Sequence, residues 1–167
     1  MPMLSKLQDF LDQNHVSYGH TVHRSTYTAR QLARAEHLEE NEVAKTVVFV
    51  GDGAYGMAVL PADCSADLRQ LRELLGLSRL RLATEPELSA LFSDSEPGAE
   101  PPFGNLHGVP VYVDDTLCGE DLIAFNAGTH HDGVHMRFRD FVRLVQPDIV
   151  PFSRFEYGSK KRETRHG

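Results

Sequence analysis

The chain has no apolar run approaching the roughly 20 residues that would span a bilayer. Its first residues, MPMLSKLQDFLDQN, lack the basic start and continuous apolar block of a secretory signal. The expected compartment is therefore the cytoplasm, with no membrane partner. Two cysteines, Cys64 and Cys118, stand far apart without metal-ligand spacing, which excludes a disulfide framework and a zinc signature and leaves two free thiols. Familiar catalytic signatures are missing too: there is no Walker loop, no GxGxxG, no GxSxG elbow and no HExxH helix. What is present is an ordinary soluble composition, 41% apolar and 25% charged, in 167 residues that fit one domain with a core of its own.

Charge is unevenly placed. Residues 153–167 carry five lysines and arginines against two glutamates, a net of +3, which leaves −10 for the rest of a chain whose total is −7. An acidic body argues against broad wrapping of nucleic acid, because such binding is dominated by neutralised phosphates. DNA is not an expected partner, whereas a short single-stranded end is compatible with this balance.

Apolar spacing predicts an amphipathic helix over 3–14, a short strand over 18–23 and a second helix from Thr28, its N-cap. KTVVFV and YGMAVLP flank GDGA, a hairpin signal. A helix follows over 67–75, and Thr84-Glu85-Pro86-Glu87 reads as a capping box opening another that runs to Phe92. After the loop EPGAEPPFG come the strands VPVYVD, DLIAFNAG and GVHMRF, then a closing helix RDFVRLV ending before Pro147. Interleaved helices and largely antiparallel strands make an α+β fold, with mixed pairing where a helix intervenes. His130, His131 and His135 raise the question of a metal, but alternation along a strand sends neighbouring side chains to opposite faces and no carboxylate pattern completes a site.

Five segments, AKTVVFV, AVLPAD, EPGAEPPFGNLHGVPVYVD, IAFNAGTH and RDFVRLVQP, resemble in this order the YbaK-type family of prolyl-tRNA synthetase-associated editing domains. The resemblance covers residues 1–150 and leaves 151–167 as a basic C-terminal tail. It implies a curved mixed sheet flanked by helices, no cofactor and no metal. It also implies a pocket for the terminal adenosine of an aminoacyl-tRNA and its attached amino acid. Lys45 matches the family's lysine at the start of the central strand, Gly98 and Pro102 its GxxxP loop, and His130 the histidine after NAGT.

Each residue has a plainer reading beside the functional one. Lys45 supplies a point charge for a phosphate or a polarised ester, or is a strand-edge charge. Gly98 allows close backbone approach or positive φ, and the prolines stiffen the loop and remove donors; an ordinary turn-rich connector has the same composition. Phe103 packs the pocket, stacks on adenine or belongs to the core. His130 orients water, bonds the amino acid or is a satisfied structural group. Asn126 and Thr46, near strand ends, are further substrate-binding candidates.

The implied activity is trans-editing hydrolysis of a mischarged aminoacyl-tRNA, of the proline set, carrying alanine, cysteine, serine or threonine. An ester is already activated, so a placed water and a few aimed dipoles suffice without a protein nucleophile. A noncatalytic module that binds an aminoacyl-tRNA end or associates with a synthetase is the alternative, as is a hydrolase of another small ester.

Overall fold

A computed structural model describes residues 3–155. The elements follow the order α1 (Ser5–Gln13), β1 (Tyr18–Val22), α2 (Ala29–Ala35), β2 (Ala44–Gly51), β3 (Ala54–Pro61), β4 (Cys64–Ala66), α3 (Leu68–Leu74) and β5 (Leu80–Leu82). They continue with α4 (Glu85–Leu91), β6 (Val111–Asp114), β7 (Leu122–Asn126), β8 (Asp132–Arg137), α5 (Phe138–Val145), β9 (Asp148–Val150) and β10 (Ser153–Phe155). The α+β class holds, and pairing is largely antiparallel, with β3, β6 and β9 running parallel. The strands form a five-stranded sheet β5-β2-β3-β6-β9, a three-stranded sheet β1-β8-β7 and a β10-β4 pair rather than one sheet.

Local chemistry explains the main elements. Asp52 and Gly53 turn the β2-β3 hairpin with φ of 47° and 84°, the left-handed pair that an Asp-Gly turn favours. The Asp52 carboxylate accepts from the Ser78 and Arg79 amides, which hold it below the usual carboxylate range and tie the turn to the approach of β5. Thr28 and Thr84 each close a capping box, with Gln31 and Glu87. Helix α5 stops at Gln146, which takes a left-handed conformation before Pro147.

Alternation along β3 divides the interior. Met57 and Val59 face one core with Leu7, Leu11, Phe103, Phe125 and Phe141. Ala58 and Leu60 face a second with Phe49, Leu71 and Phe152. The large sheet is thus covered on both sides. A third cluster, Leu32, Ala33, Val43, Ala62 and Ala124, lies under α2. There an isolated parallel bridge between Val43 and Ala124 brings the two larger sheets together.

Four short strands escape the periodicity, because three residues supply too little alternation: β4, β5, β9 and β10. The boundary placed at residue 150 also falls short of the packed domain. Phe152 is fully buried, and Ser153–Phe155 pair with β4. Asp114, at the end of β6, holds this segment. Its Oδ1 accepts from the amides of Phe152 and Ser153, both at 2.9 Å, and its Oδ2 from the Ser153 hydroxyl at 2.7 Å. Lys160, Lys161, Arg162 and Arg165 of the proposed tail lie outside the described residues.

Asp114→Asn replaces one acceptor with an amide NH2 facing donors. It is expected to cost about 2 to 3 kcal/mol in urea unfolding, the range for a charged hydrogen bond and an unsatisfied group. Hydrogen exchange at the Phe152 and Ser153 amides should accelerate with it; an unchanged midpoint would reject this role.

Candidate functional site

A cavity of about 370 Å³ opens beside the Val43–Ala124 bridge. The approach to α2 supplies Tyr27 and Thr28, the start of β2 supplies Lys45 and Thr46, the glycine-proline loop supplies Gly98 and Glu100, and β7 ends there in Asn126. Small buried side chains at Ala44 and Ala62 leave the room. The volume suits a nucleoside end with a small substituent and lies at the low end for ligand sites.

Four of the seven expected residues therefore line one cavity: Lys45, Thr46, Gly98 and Asn126. The first two follow from strand register, in which Lys45 pairs with Leu60 and Thr46 with Val59. Gly98 has φ of 88°, a conformation that disfavours any side chain. A Cβ there would meet His130 at an ordinary 3.5 Å, so the requirement is conformational rather than steric.

The loop is held from behind. Glu96 N–H donates to the Gly128 carbonyl at 2.8 Å, and Gly128 N–H to the Ala99 carbonyl at 2.9 Å. The His130 amide donates to Glu96 Oε1 at 2.6 Å. The ring of His130 spans two strands of chain, with Nδ1 2.9 Å from the Thr26 carbonyl and Nε2 3.0 Å from the Pro97 carbonyl. These two contacts tie one ring to both segments. His130 is 8% exposed and does not line the cavity. The expectation that it handles water or substrate gives way to a clamp between the Thr26–Tyr27 segment and the loop.

Two other expectations are corrected. Phe103 is 1% exposed, with its ring 5.6 Å from Phe125 and 5.4 Å from Phe141, so it anchors the loop in the core instead of stacking on adenine. Pro102 is buried and lies off the cavity wall. Its contribution is the fixed φ of the segment between Glu100 and Phe103.

The structure adds two residues. Tyr27 is 69% exposed at the cavity wall, its ring 4.7 Å from that of His130. Glu100 is only 5% exposed, yet it lines the cavity, and its carboxylate accepts the Gly98 N–H at 2.8 and 3.1 Å. Burial raises its pKa above the ordinary glutamate value, opposed by the Glu100 and Gly98 amides and the charge of His130. A glutamate among prolines reads as a solvated loop residue, so no local signal marks it. The Asn126 Oδ1 is buried with no hydrogen-bond partner. The three histidines diverge: His131 bonds Ser25 and the His23 carbonyl, while His135 lies over Gly19. Among the described residues no group of three or more metal-ligating side chains converges.

The fold that frames this cavity is that of an aminoacyl-tRNA editing domain: the family pattern matches residues 23–144, and the chain belongs to that family. Among individual relatives it is 39% identical over 106 residues to the multifunctional Ser/Thr-tRNA deacylase ProXp-y of Escherichia coli K12, a match covering 62% of each chain. It is 30% identical over 123 residues to a proline--tRNA ligase of Dehalococcoides mccartyi, covering 71% of this chain and 21% of that one. The matched region thus spans less than two thirds of these relatives' lengths. A crystal structure of a candidate trans-editing enzyme for prolyl tRNA synthetase superposes with a TM-score of 0.80, at 24% identity, over 92% of this chain and 98% of that one. At that identity the likeness establishes the fold.

Phe103→Ala is expected to cost about 3 to 5 kcal/mol in chemical denaturation, as a large aromatic deleted from a core does. A cost below about 1 kcal/mol would return Phe103 to the cavity. Glu100→Gln should act in the opposite direction. Because burial raises the folded-state pKa of Glu100, ionising it in the fold costs stability. That cost is absent below the unfolded glutamate range and grows as pH rises through it. The Gln variant should therefore melt higher than the parent at neutral pH and converge with it in acid, as scanning calorimetry would show.

Proposed function

We propose that the protein hydrolyses, in trans, the ester joining a wrongly attached small amino acid to the terminal ribose of a tRNA. The observation that carries this is the cavity itself: a lysine, a stiff glycine loop, a buried carboxylate and an unsatisfied amide oxygen share a space the size of an aminoacyl-nucleoside end. Water attacks the ester carbonyl carbon, the carbon–oxygen bond to ribose breaks, the ribose oxygen takes a proton and the free amino acid leaves. No covalent enzyme intermediate is needed. Binding holds the ester and the water in line, with the neighbouring ribose hydroxyl beside them.

Lys45 supplies positive charge to the ester oxygen or the terminal phosphate. Gly98 lets the loop backbone approach the ribose, and Thr46 and Asn126 offer polar contacts. His130 and Phe103 act from behind as positioning residues. Tyr27 gives the terminal base an exposed ring on which to stack. The name of the E. coli relative points to serine and threonine as the amino acids removed. A methylene changes selectivity by only about 1 to 3 kcal/mol, so alanine and cysteine belong in the same test. Proline tRNAs lead the list of carriers because ligases for proline contain matching segments. In the described residues no helix is long and apolar enough to cross a membrane.

A panel of tRNAs mischarged with serine, threonine, alanine and cysteine, assayed with free aminoacyl esters alongside, tests the reading. Turnover of at least one aminoacyl-tRNA is expected, and Lys45→Ala should lower kcat by about a hundredfold or more with the fold intact. Binding without turnover would favour a noncatalytic module, and cleavage of free esters alone another hydrolase.

A further inference from the structure

The cavity contains a carboxylate that the ester chemistry does not use. We infer that Glu100 and Asn126 form a subsite for the protonated α-amino group of the substrate, so that the protein acts on free aminoacyl ends and rejects those whose amino group is blocked. The inference rests on the proposed hydrolysis and extends it to the part of the substrate that is read.

Three observations converge. Glu100 is 5% exposed and its carboxylate is held by a neutral backbone donor, the Gly98 N–H, which both oxygens share. An ionised carboxylate has about four acceptor sites, so the Gly98 and Glu100 amides leave part of its capacity unfilled. Burying such a group is costly, the charge of His130 behind the loop offsets that cost only in part, and the place of Glu100 on the cavity wall lets a ligand add a second cation. Asn126, on the same cavity, presents a buried Oδ1 with no partner, an acceptor that calls for a donor. The α-ammonium group is a compact cation with three N–H donors and no acceptor. It matches two acceptors in one cavity, whereas a ribose hydroxyl brings only one proton to share between them.

The α-carbon adjoins the ester carbonyl, so fixing the ammonium also fixes the carbonyl relative to Lys45. The same contact excludes an N-acylated residue, which lacks the charge and has at most one N–H to give. Initiator-type and peptidyl-type tRNA ends, whose amino groups are acylated, are thereby spared. Burial raises the pKa of Glu100, and a bound cation reverses that effect by favouring the ionised form.

The test compares three ligands on one adenosine scaffold: a nonhydrolysable 3′-serylamido-adenosine, its isostere with hydroxyl in place of the amino group, and its N-acetyl form. Wild type is expected to bind the free amine about tenfold to a hundredfold more tightly than the hydroxyl isostere, the range for a charge-assisted hydrogen bond. Glu100→Gln, which keeps an oxygen for the Gly98 N–H, should remove most of that preference and leave affinity for the isostere within about twofold. Asn126→Ala should reduce the preference more weakly. Seryl-tRNA and N-acetylseryl-tRNA should separate in kcat/KM in the same direction. Equal binding of amine and isostere by wild type overturns the inference, as does an equal loss of both ligands in Glu100→Gln, which would make Glu100 a loop support. A retained amine preference with no turnover of any aminoacyl-tRNA would sink the hydrolase reading and leave the subsite standing.

Discussion

The meeting of two sheets at Val43 and Ala124 is the constraint on which the site depends. Both residues are wholly excluded from solvent, and the bridge between them lies outside the regular ladders. On one side the chain passes directly into Ala44, Lys45 and Thr46; on the other, Asn126 follows two residues on and returns to the same face of its strand. Helix α2 covers the junction through Leu32 and Ala33. The cavity is the space that remains where two twisted sheets touch at a corner and a short helix cannot fill the angle.

The loop solves a complementary problem. A segment rich in proline and glycine has few backbone donors of its own, so its shape has to be imposed from outside. Phe103 fixes one end in the aromatic core, and Gly128 and His130 fix the other through four hydrogen bonds. The wall presented to the cavity is therefore held in place without regular secondary structure.

Much of this was legible in order along the chain. The Asp-Gly turn, the Thr84 capping box and the apolar alternation of β2 and β3 are local signals, and local signals survive into the fold. Lys45 and Gly98 were found through the family resemblance, which singles out a lysine opening an apolar strand and a glycine among prolines. Other features depend on distant partners. Strands β9 and β10 exist because β6 and β4 offer edges, and Phe152 is inside because Asp114 captures the amides beside it. Phe103 was ambiguous for the same reason, since its neighbours Phe10, Phe125 and Phe141 lie far off in sequence. Glu100 was invisible because nothing near it in sequence announces that it is buried.

The four pieces of the cavity wall come from around residues 27, 45, 98 and 126, so the site has no local precursor. Contacts of such long sequence separation form late, after the entropy of closing large loops has been overcome. A chain growing on the ribosome has its lysine, its tyrosine and its glycine loop well before the strand that carries Asn126, and that strand needs β8 and then α5 to be held in place. The cavity wall is therefore complete only once α5 has been made. A copy that stops short of α5 presents basic and aromatic groups without a pocket.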